Sequence, residues 1–342
     1  MPGTRSARRK SASTPYQART SDKSSIPVAM RAVAIDRYGG LSELDIRELP
    51  VPRPAAHEVL IRLDTAGVGS WDAAMRIGDV KTEHGFPLVL GTDGAGVVAD
   101  VGARVTRFRR GERVYAYVFD NQHGGFYAEY VSVPAKNVGH VPTGLGLGRA
   151  GALTVIGLTA LQGVDEVLKP RRGETVIVHG ASGNVGMIAA QVVLWRGARV
   201  LATASGSDGV AFVRDLGIDH VIDGKQDDIG RAARELAADG VDAVLAFAGG
   251  DSLIQCIDSL KGGGRVVYPN GVEPAPRRRK NIRIKSYDAY SSPEAFRALN
   301  RAIAAAKLKV PIAQVFPLEE AAAAHRRVEK GHVLGKIVLT CR

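Results

Sequence analysis

Residues Thr175 to Gly197 read TVIVHGASGNVGMIAAQVVLWRG, an apolar run that ends on three glycines at three-residue spacing, Gly180, Gly183 and Gly186. The chemistry such a spacing serves is the binding of a diphosphate. Small residues at Gly180 and Gly183 let the backbone turn tightly and approach the anion, and Gly186 lets the next helix pack closely on the strand. The free N–H groups and positive end of that helix favour negative charge. Gly180, Ala181, Ser182, Gly183, Asn184 and Val185 are therefore the expected cofactor contacts. A run of spaced glycines alone could be only a turn, but here a strand precedes it, a helix follows and further βα units come after.

The next strand, RVLATA, tests which dinucleotide binds. A free adenosine ribose usually meets an Asp or Glu at the end of the second strand, about 20 residues on. This strand ends Ala204-Ser205-Gly206-Ser207, with no carboxylate before Asp208. The gap leaves room for a 2′-phosphate with Ser205 and Ser207 as donors, so NADPH is expected over NADH. The alternative is a polar loop in which Asp208 reaches the ribose.

The elements that must hold this loop are legible in the pattern. Residues 30 to 142 alternate short β-like runs (RAVAID, EVLIRLDTAGV, RVYAYV, AEYVSV) with Gly and Pro, which implies a compact, mostly antiparallel β domain. From about residue 150, helical stretches alternate with apolar strands: helices near 184–196, 209–216, 227–238 and 252–260 between TVIVHG, RVLATA, HVID, DAVLAFA and GGRVVYPN. Repeated βα units of this length predict an α/β, doubly wound parallel sheet. Helices over Pro293 to Ala306 and Leu318 to Glu329 and a strand over Lys336 to Thr340 close the chain.

The 342 residues are 45% hydrophobic and 24% charged, which excludes a disordered acidic or basic tail and a collagen. No apolar run of membrane-spanning length is expected. Two cysteines, Cys256 and Cys341, make neither a disulfide framework nor a four-thiolate zinc site, so the reducing cytoplasm is the expected compartment. The formal charge of +11 is local: residues 1–29 contribute +5 and residues 277–285 (RRRKNIRIK) contribute +6. Residues 1–29 are expected to be a disordered basic extension or a misassigned start. A mitochondrial transit peptide fits their composition, but they lack the Leu and Phe of an amphipathic helix. The second cluster could neutralise phosphates and make the chain an RNA-binding protein. It has no interleaved aromatics before Tyr287 and no accompanying RNA-binding motif, so a solvated loop or an edge near a subunit contact is expected instead.

Several collinear stretches, MRAVAIDRYGG, GTDGAGVVADVGARVTRFRRGERVYA, LTALQGVDEVLKPRRGETVIVHGASGNVG and PLEEAAAAHRRVEKGHVLGKIVL, give the chain its family likeness. It resembles the zinc-independent, quinone oxidoreductase type of medium-chain dehydrogenase/reductase over residues 30–342. The resemblance implies a GroES-like β-rich catalytic domain (30–150 and 307–342), a Rossmann dinucleotide-binding domain (151–306), an active site between them and a homodimer. It implies hydride transfer from NADPH to an electrophilic small molecule, a quinone or an α,β-unsaturated carbonyl compound. With the fold geometry it adds Thr159, Gly249, Pro269, Asn270, Gly271 and Lys336 to the cofactor contacts; for Lys336 a surface position on the last strand is the alternative.

Zinc-dependent relatives carry a Cys where this chain has Gly69-Ser70-Trp71-Asp72 and a Gly-His-Glu where it has Gly91-Thr92-Asp93, so no zinc is expected. The chain also departs from its own branch. An Asn and a Tyr near the nicotinamide are replaced by Gly69 and Ala74, and a Lys and a Tyr near the adenosine phosphate by Gly209 and Gly224. These departures leave a noncatalytic NADPH sensor as an alternative. Tyr117 and Asp72 are the candidate proton donors; otherwise Tyr117 is a core aromatic and Asp72 a carboxylate capping the helix that follows. Tyr117→Phe is expected to lower turnover more than cofactor affinity, and steady-state kinetics with unchanged kcat would remove Tyr117 from catalysis.

Overall fold

The computed structural model describes residues 26–342; the expectations for residues 1–25 lie outside the described residues. The first half of the chain forms β1 (Ala29–Ile35), β2 (Asp45–Pro50), β3 (Glu58–Val68), α1 (Ser70–Ile77), β4 (Leu88–Val89), β5 (Asp93–Val101), β6 (Arg113–Tyr117), β7 (Tyr130–Pro134) and β8 (Val138–His140). A long helix, α2 (Leu147–Gln162), leads into the second half. There follow β9 (Thr175–His179), α3 (Asn184–Trp195), β10 (Arg199–Ala204), α4 (Gly206–Asp215), β11 (His220–Asp223), α5 (Ile229–Leu236), β12 (Val241–Ala246), α6 (Asp251–Asp258), β13 (Leu260–Pro269) and β14 (Arg283–Tyr287). The chain ends with α7 (Pro293–Ala306), β15 (Ile312–Pro317), α8 (Ala321–Glu329) and β16 (Lys336–Thr340).

The central sheet is parallel with strand order β11-β10-β9-β12-β13-β14, so the order reverses at β9, where the glycine turn follows. β9 is buried at every residue, as a strand covered by helices on both faces must be. In the first domain a seven-stranded sheet runs β15-β16-β3-β5-β6-β8 with β7 on β3, beside a three-stranded sheet β2-β1-β4. β16 pairs antiparallel with β3 from Ile337 opposite Val68 to Thr340 opposite Thr65, so the C-terminal strand completes the first domain's sheet. Lys336 is thereby brought next to α1.

α2 joins the two halves. Thirteen of its sixteen residues are buried, and it packs on β3, β5 and β6 on one side and on α3 and α7 on the other. With the π-helical turn that continues it, Leu147–Leu168 is long and apolar enough to cross a membrane by length and composition, contrary to the sequence expectation. It is a core helix here: 83% of its most apolar window is buried inside the protein, where an all-round apolar surface is satisfied by packing.

Three other expectations change. β15 lies parallel to β16 in a stretch without an obvious strand pattern, Ile312–Pro317, where only one residue is buried. α4 starts three residues earlier than expected, at Gly206, because Ser205 in extended conformation serves as its N-cap. Part of the basic 277–285 cluster is strand rather than loop: Ile284 is half-buried against the core while Arg283 and Lys285 are exposed on an edge strand. Lysine and arginine on an edge strand discourage uncontrolled strand pairing.

Gly186 is the tightest contact in the glycine turn. A Cβ there would lie 2.2 Å from the Gly180 carbonyl oxygen and 2.9 Å from Ala181 Cα, so only glycine lets α3 close on β9. Gly186→Ala is expected to cost about 1–3 kcal/mol through overpacking and to weaken dinucleotide binding. Denaturant melts and a cofactor titration check both, and an unchanged affinity would contradict the assignment of this turn.

Candidate functional site

The glycine turn is organised by its own backbone. Gly180 adopts φ +79°, a left-handed conformation open to glycine, and its N–H and that of Ala181 are held by Thr203 on β10. Gly183 is the extended N-cap of α3 and accepts from Met187 N. The first-turn N–H groups at Asn184 and Val185 have no acceptor within their helix. This arrangement fits a dinucleotide diphosphate.

At the end of β10, Ser182 Oγ accepts from Ser205 N, and Ser205 and Ser207 lead into α4. Asp208 is held by His332 at 2.8 Å and by Gly209 N, which lowers its pKa, the His332 bond being the larger cause. Asp223 accepts from Gly206 N and Lys225 N. Both nearby carboxylates are therefore committed to protein partners. Gly209 lies beside Ser182, where a Cβ would make ordinary van der Waals contact at 3.5 Å.

Between the domains lies a cavity of about 580 Å³. Its first wall comes from the β domain: Ser70, Trp71, Ala74, Val80, Tyr117 and Phe119. Its second comes from α2 and the carboxyl ends of the parallel strands: Val155, Thr159, Val185, Pro269, Asn270 and Gly271, with Tyr287, Asp288 and Ala289. Tyr287 is fixed by donating to the Thr159 carbonyl at 2.8 Å, and Asp288 accepts from Asn270 Nδ2 at 2.7 Å. Burial first, then the carboxylates Asp93, Asp288 and Asp72, raise the Tyr117 pKa far above its ordinary value, so its phenol keeps its proton at neutral pH.

Behind the first wall sits a buried charge cluster. Lys336, Asp72 and Asp93 are all fully buried. Asp72 Oδ2 accepts from Gly69 N at 2.7 Å, holding the N-cap residue of α1, and from Tyr127 Oη at 3.2 Å. Asp93 Oδ2 accepts from Val155 N in the middle of α2. One oxygen of each carboxylate and Lys336 Nζ are left without hydrogen-bond partners. Burial pushes the Asp72 carboxyl up to about 7 and the Asp93 carboxyl up to about 6, with Lys336 opposing both. Burial also lowers the Lys336 pKa, against the pull of the two carboxylates.

Trp71 separates this cluster from the cavity. Its Nε1 donates to Thr92 Oγ1 at 2.8 Å, and Lys336 Nζ lies over the ring, 4.5 Å from the centroid. The six-membered edge of the indole covers Gly69, where a Cβ would lie 2.3 Å from the ring. Gly69 is thus the residue that makes room for Trp71.

Of the residues singled out in the sequence, Thr159, Val185, Pro269, Asn270, Gly271 and Tyr117 meet at the cavity. Gly180, Ala181, Ser182, Gly183, Asn184, Ser205 and Ser207 lie along the turn leading away from it, and Gly249 packs against the Glu273–Pro274 backbone beside it. Asp72 is not on the cavity wall; it is a helix cap buried behind Trp71, and that position corrects its candidacy as proton donor. Lys336 is buried beneath the same indole, neither a surface lysine nor a cavity residue. Trp71, Phe119, Tyr287 and Asp288 were missed. The signal for Trp71 was present in the unexplained Gly69 beside it, whereas Tyr287 and Asp288 come from a strand hidden in the basic cluster.

Residues 55–143 match the family model described as alcohol dehydrogenase GroES-like domain, and residues 216–339 the model described as zinc-binding dehydrogenase. Quinone oxidoreductase of Lama guanicoe is 30% identical over 323 residues, which is 91% of this chain and 97% of that protein. The quinone oxidoreductase structure from Coxiella burnetii superposes with TM-score 0.82 at 30% identity, covering 92% of this chain and 100% of that one. A crystal structure of an NAD-dependent alcohol dehydrogenase gives TM-score 0.84 at 31% identity, covering 91% and 99%. Fold and site define a two-domain oxidoreductase that binds a nicotinamide dinucleotide. The chain belongs to the medium-chain dehydrogenase/reductase family, among its quinone oxidoreductase-like members.

The cluster's electrostatics have a measurable sign. A carboxyl whose folded pKa is raised contributes stability that is complete below its unfolded pKa and is lost as pH rises through the folded value, here about 6 to 7. Lys336→Met removes the cation that opposes this loss. At pH 5 the carboxyls can protonate and the deficit is small; at pH 8 it grows as both buried carboxylates ionise without the nearby cation, with about 3–5 kcal/mol, the cost of breaking a directly paired buried ion, as its ceiling. Chemical denaturation of both proteins at the two pH values checks this, and a pH-independent deficit would contradict it.

Proposed function

We propose that the protein transfers hydride from NADPH to an electrophilic acceptor, a quinone or an α,β-unsaturated carbonyl compound, without zinc. The observation that carries this reading is the interdomain cavity. Its strand-end wall continues from the glycine turn, and its opposite wall is built from Trp71, Ala74, Val80, Tyr117 and Phe119. Apolar walls suit a conjugated acceptor and exclude water from the reacting carbon.

The family name printed for the C-terminal match is zinc-binding, yet the residues here do not fit the metal. The positions that supply a thiolate and an imidazole in zinc-dependent relatives are Gly69 and Thr92, and the Trp71 indole fills the space between them. Among the described residues no cluster of three or more His, Cys, Asp or Glu side chains is arranged to hold a metal. With no Lewis acid derived from these residues, the acceptor must bring its own electrophilicity.

When bound, the reduced nicotinamide supplies the hydride. The chain holds the diphosphate at the α3 N-terminus, positions the ring against Thr159 and Pro269 to Gly271, and keeps a protonated phenol at Tyr117 within the cavity. NADPH is favoured over NADH because Asp208 and Asp223 are tied to His332, Gly206 and Lys225 and leave the hydroxyls of Ser182, Ser205 and Ser207 for a 2′-phosphate. A homodimer in the reducing cytoplasm completes the reading, on the family resemblance and on two cysteines that are buried and unpaired.

Oxidation of NADPH and NADH over a panel of quinones and enones tests the proposal, with faster turnover of NADPH expected. Tight cofactor binding without any turnover would replace it with a sensor. A preference for NADH would mean that Asp208 leaves His332 for the ribose.

A further inference from the structure

We propose that Trp71 is the platform on which the acceptor stacks, and that it selects planar conjugated rings, quinones above all, over straight-chain enones. The inference rests on the hydride-transfer reading of the same cavity and names its preferred substrate class.

Three parts of the indole are engaged by named neighbours. Nε1 is bound to Thr92, the Cε2–Cζ2–Cη2 edge lies against Gly69, and one face is covered by the buried ammonium of Lys336. The same side chain, half-buried, packs on the core and lines the cavity. Next to it, one helical turn on, Ala74 contributes only a methyl group, so nothing on α1 stands between the ring and an acceptor. Val80 and Phe119 extend the same wall. A flat, rigid surface with a hydrogen bond and a cation holding it in place has little entropy to lose when a second ring lies on it.

The chemistry of the two rings matches. Indole is electron-rich, and a quinone ring is electron-poor because its two carbonyls withdraw density. Offset stacking of such a pair adds to the apolar burial. A linear enone offers no ring to stack and gains only the burial. The residue that touches the acceptor in this way does not touch the transferred hydride, so its loss is expected in KM rather than in kcat.

The chain contains two tryptophans, Trp71 and Trp195, and Trp195 sits at the far end of α3 under the Arg196 guanidinium. In a Trp195→Phe protein saturated with NADP, emission therefore reports on Trp71 alone. Titration with 1,4-naphthoquinone is expected to quench it saturably, with a midpoint near the KM for that quinone. In Trp71→Leu the ratio of kcat/KM for 1,4-naphthoquinone to that for trans-2-hexenal is expected to fall about tenfold, the upper end of a stacking contribution. Trp71→Phe keeps an aromatic plane and should lose about twofold to threefold in that ratio by the same principle, which keeps the test alive if the leucine variant does not fold.

A ratio unchanged in both variants, or quenching that is linear in quinone without saturation, would overturn the platform even if the wild type turns over both acceptors. Saturable quenching with no turnover of either acceptor would support the platform and sink the hydride-transfer reading instead.

Discussion

A buried lysine that shares the interior with two buried carboxylates, without a direct ion pair, is the constraint on which the rest of this structure depends. Lys336 arrives on the last strand, Asp72 on the first helix after β3, and Asp93 at the start of β5. Desolvation of three charges is costly, and their mutual attraction offsets it only while all three stay in place. Each is also tied to an element that matters elsewhere: Asp72 caps α1, Asp93 reaches an interior N–H of α2, and Lys336 lies over Trp71. The cluster thereby connects the C-terminal strand, the first domain's sheet and the helix that enters the cofactor domain.

From that node the cavity follows. α2 crosses between the domains and places Val155 and Thr159 at the cavity; Thr159 in turn fixes Tyr287. Trp71 is held by its hydrogen bond to Thr92, by contact with Gly69 and by Lys336 over its ring, so this wall is anchored to the buried cluster. The opposite wall is set by the reversal of strand order at β9, which opens the crevice where the carboxyl ends of parallel strands bind ligands. Two walls of different origin meet at a place where neither domain alone would form a site.

Much of this was legible in the residues. TVIVH followed by Gly180, Gly183 and Gly186 specified a buried strand, a turn and a helix, because glycine spacing and apolar runs act locally. Strand β15 was not legible: it is held by its pairing with β16 rather than by a pattern of its own. Asp72 illustrates a different limit. Its type and motif position suggested chemistry, yet whether a carboxylate faces a cavity or caps a helix is decided by packing from Tyr127 and Lys336, distant in sequence. The Gly69 and Ala74 departures suggested a weakened site when taken one at a time. Together with Trp71 they form one stretch of cavity wall, in which the indole lies against Gly69, where a Cβ would clash with it, and Ala74 follows one helical turn on.

The central claim is that hydride passes from the reduced nicotinamide to carbon of a conjugated acceptor in this cavity. Turnover of an enone with NADPH carrying deuterium at C4, followed by mass spectrometry of the saturated product, tests it most directly. The account predicts one deuterium on the β-carbon of the product when the label occupies the transferred position, and none when it occupies the other. Unlabelled product from both forms of the cofactor, or cofactor bound without oxidation, would contradict it.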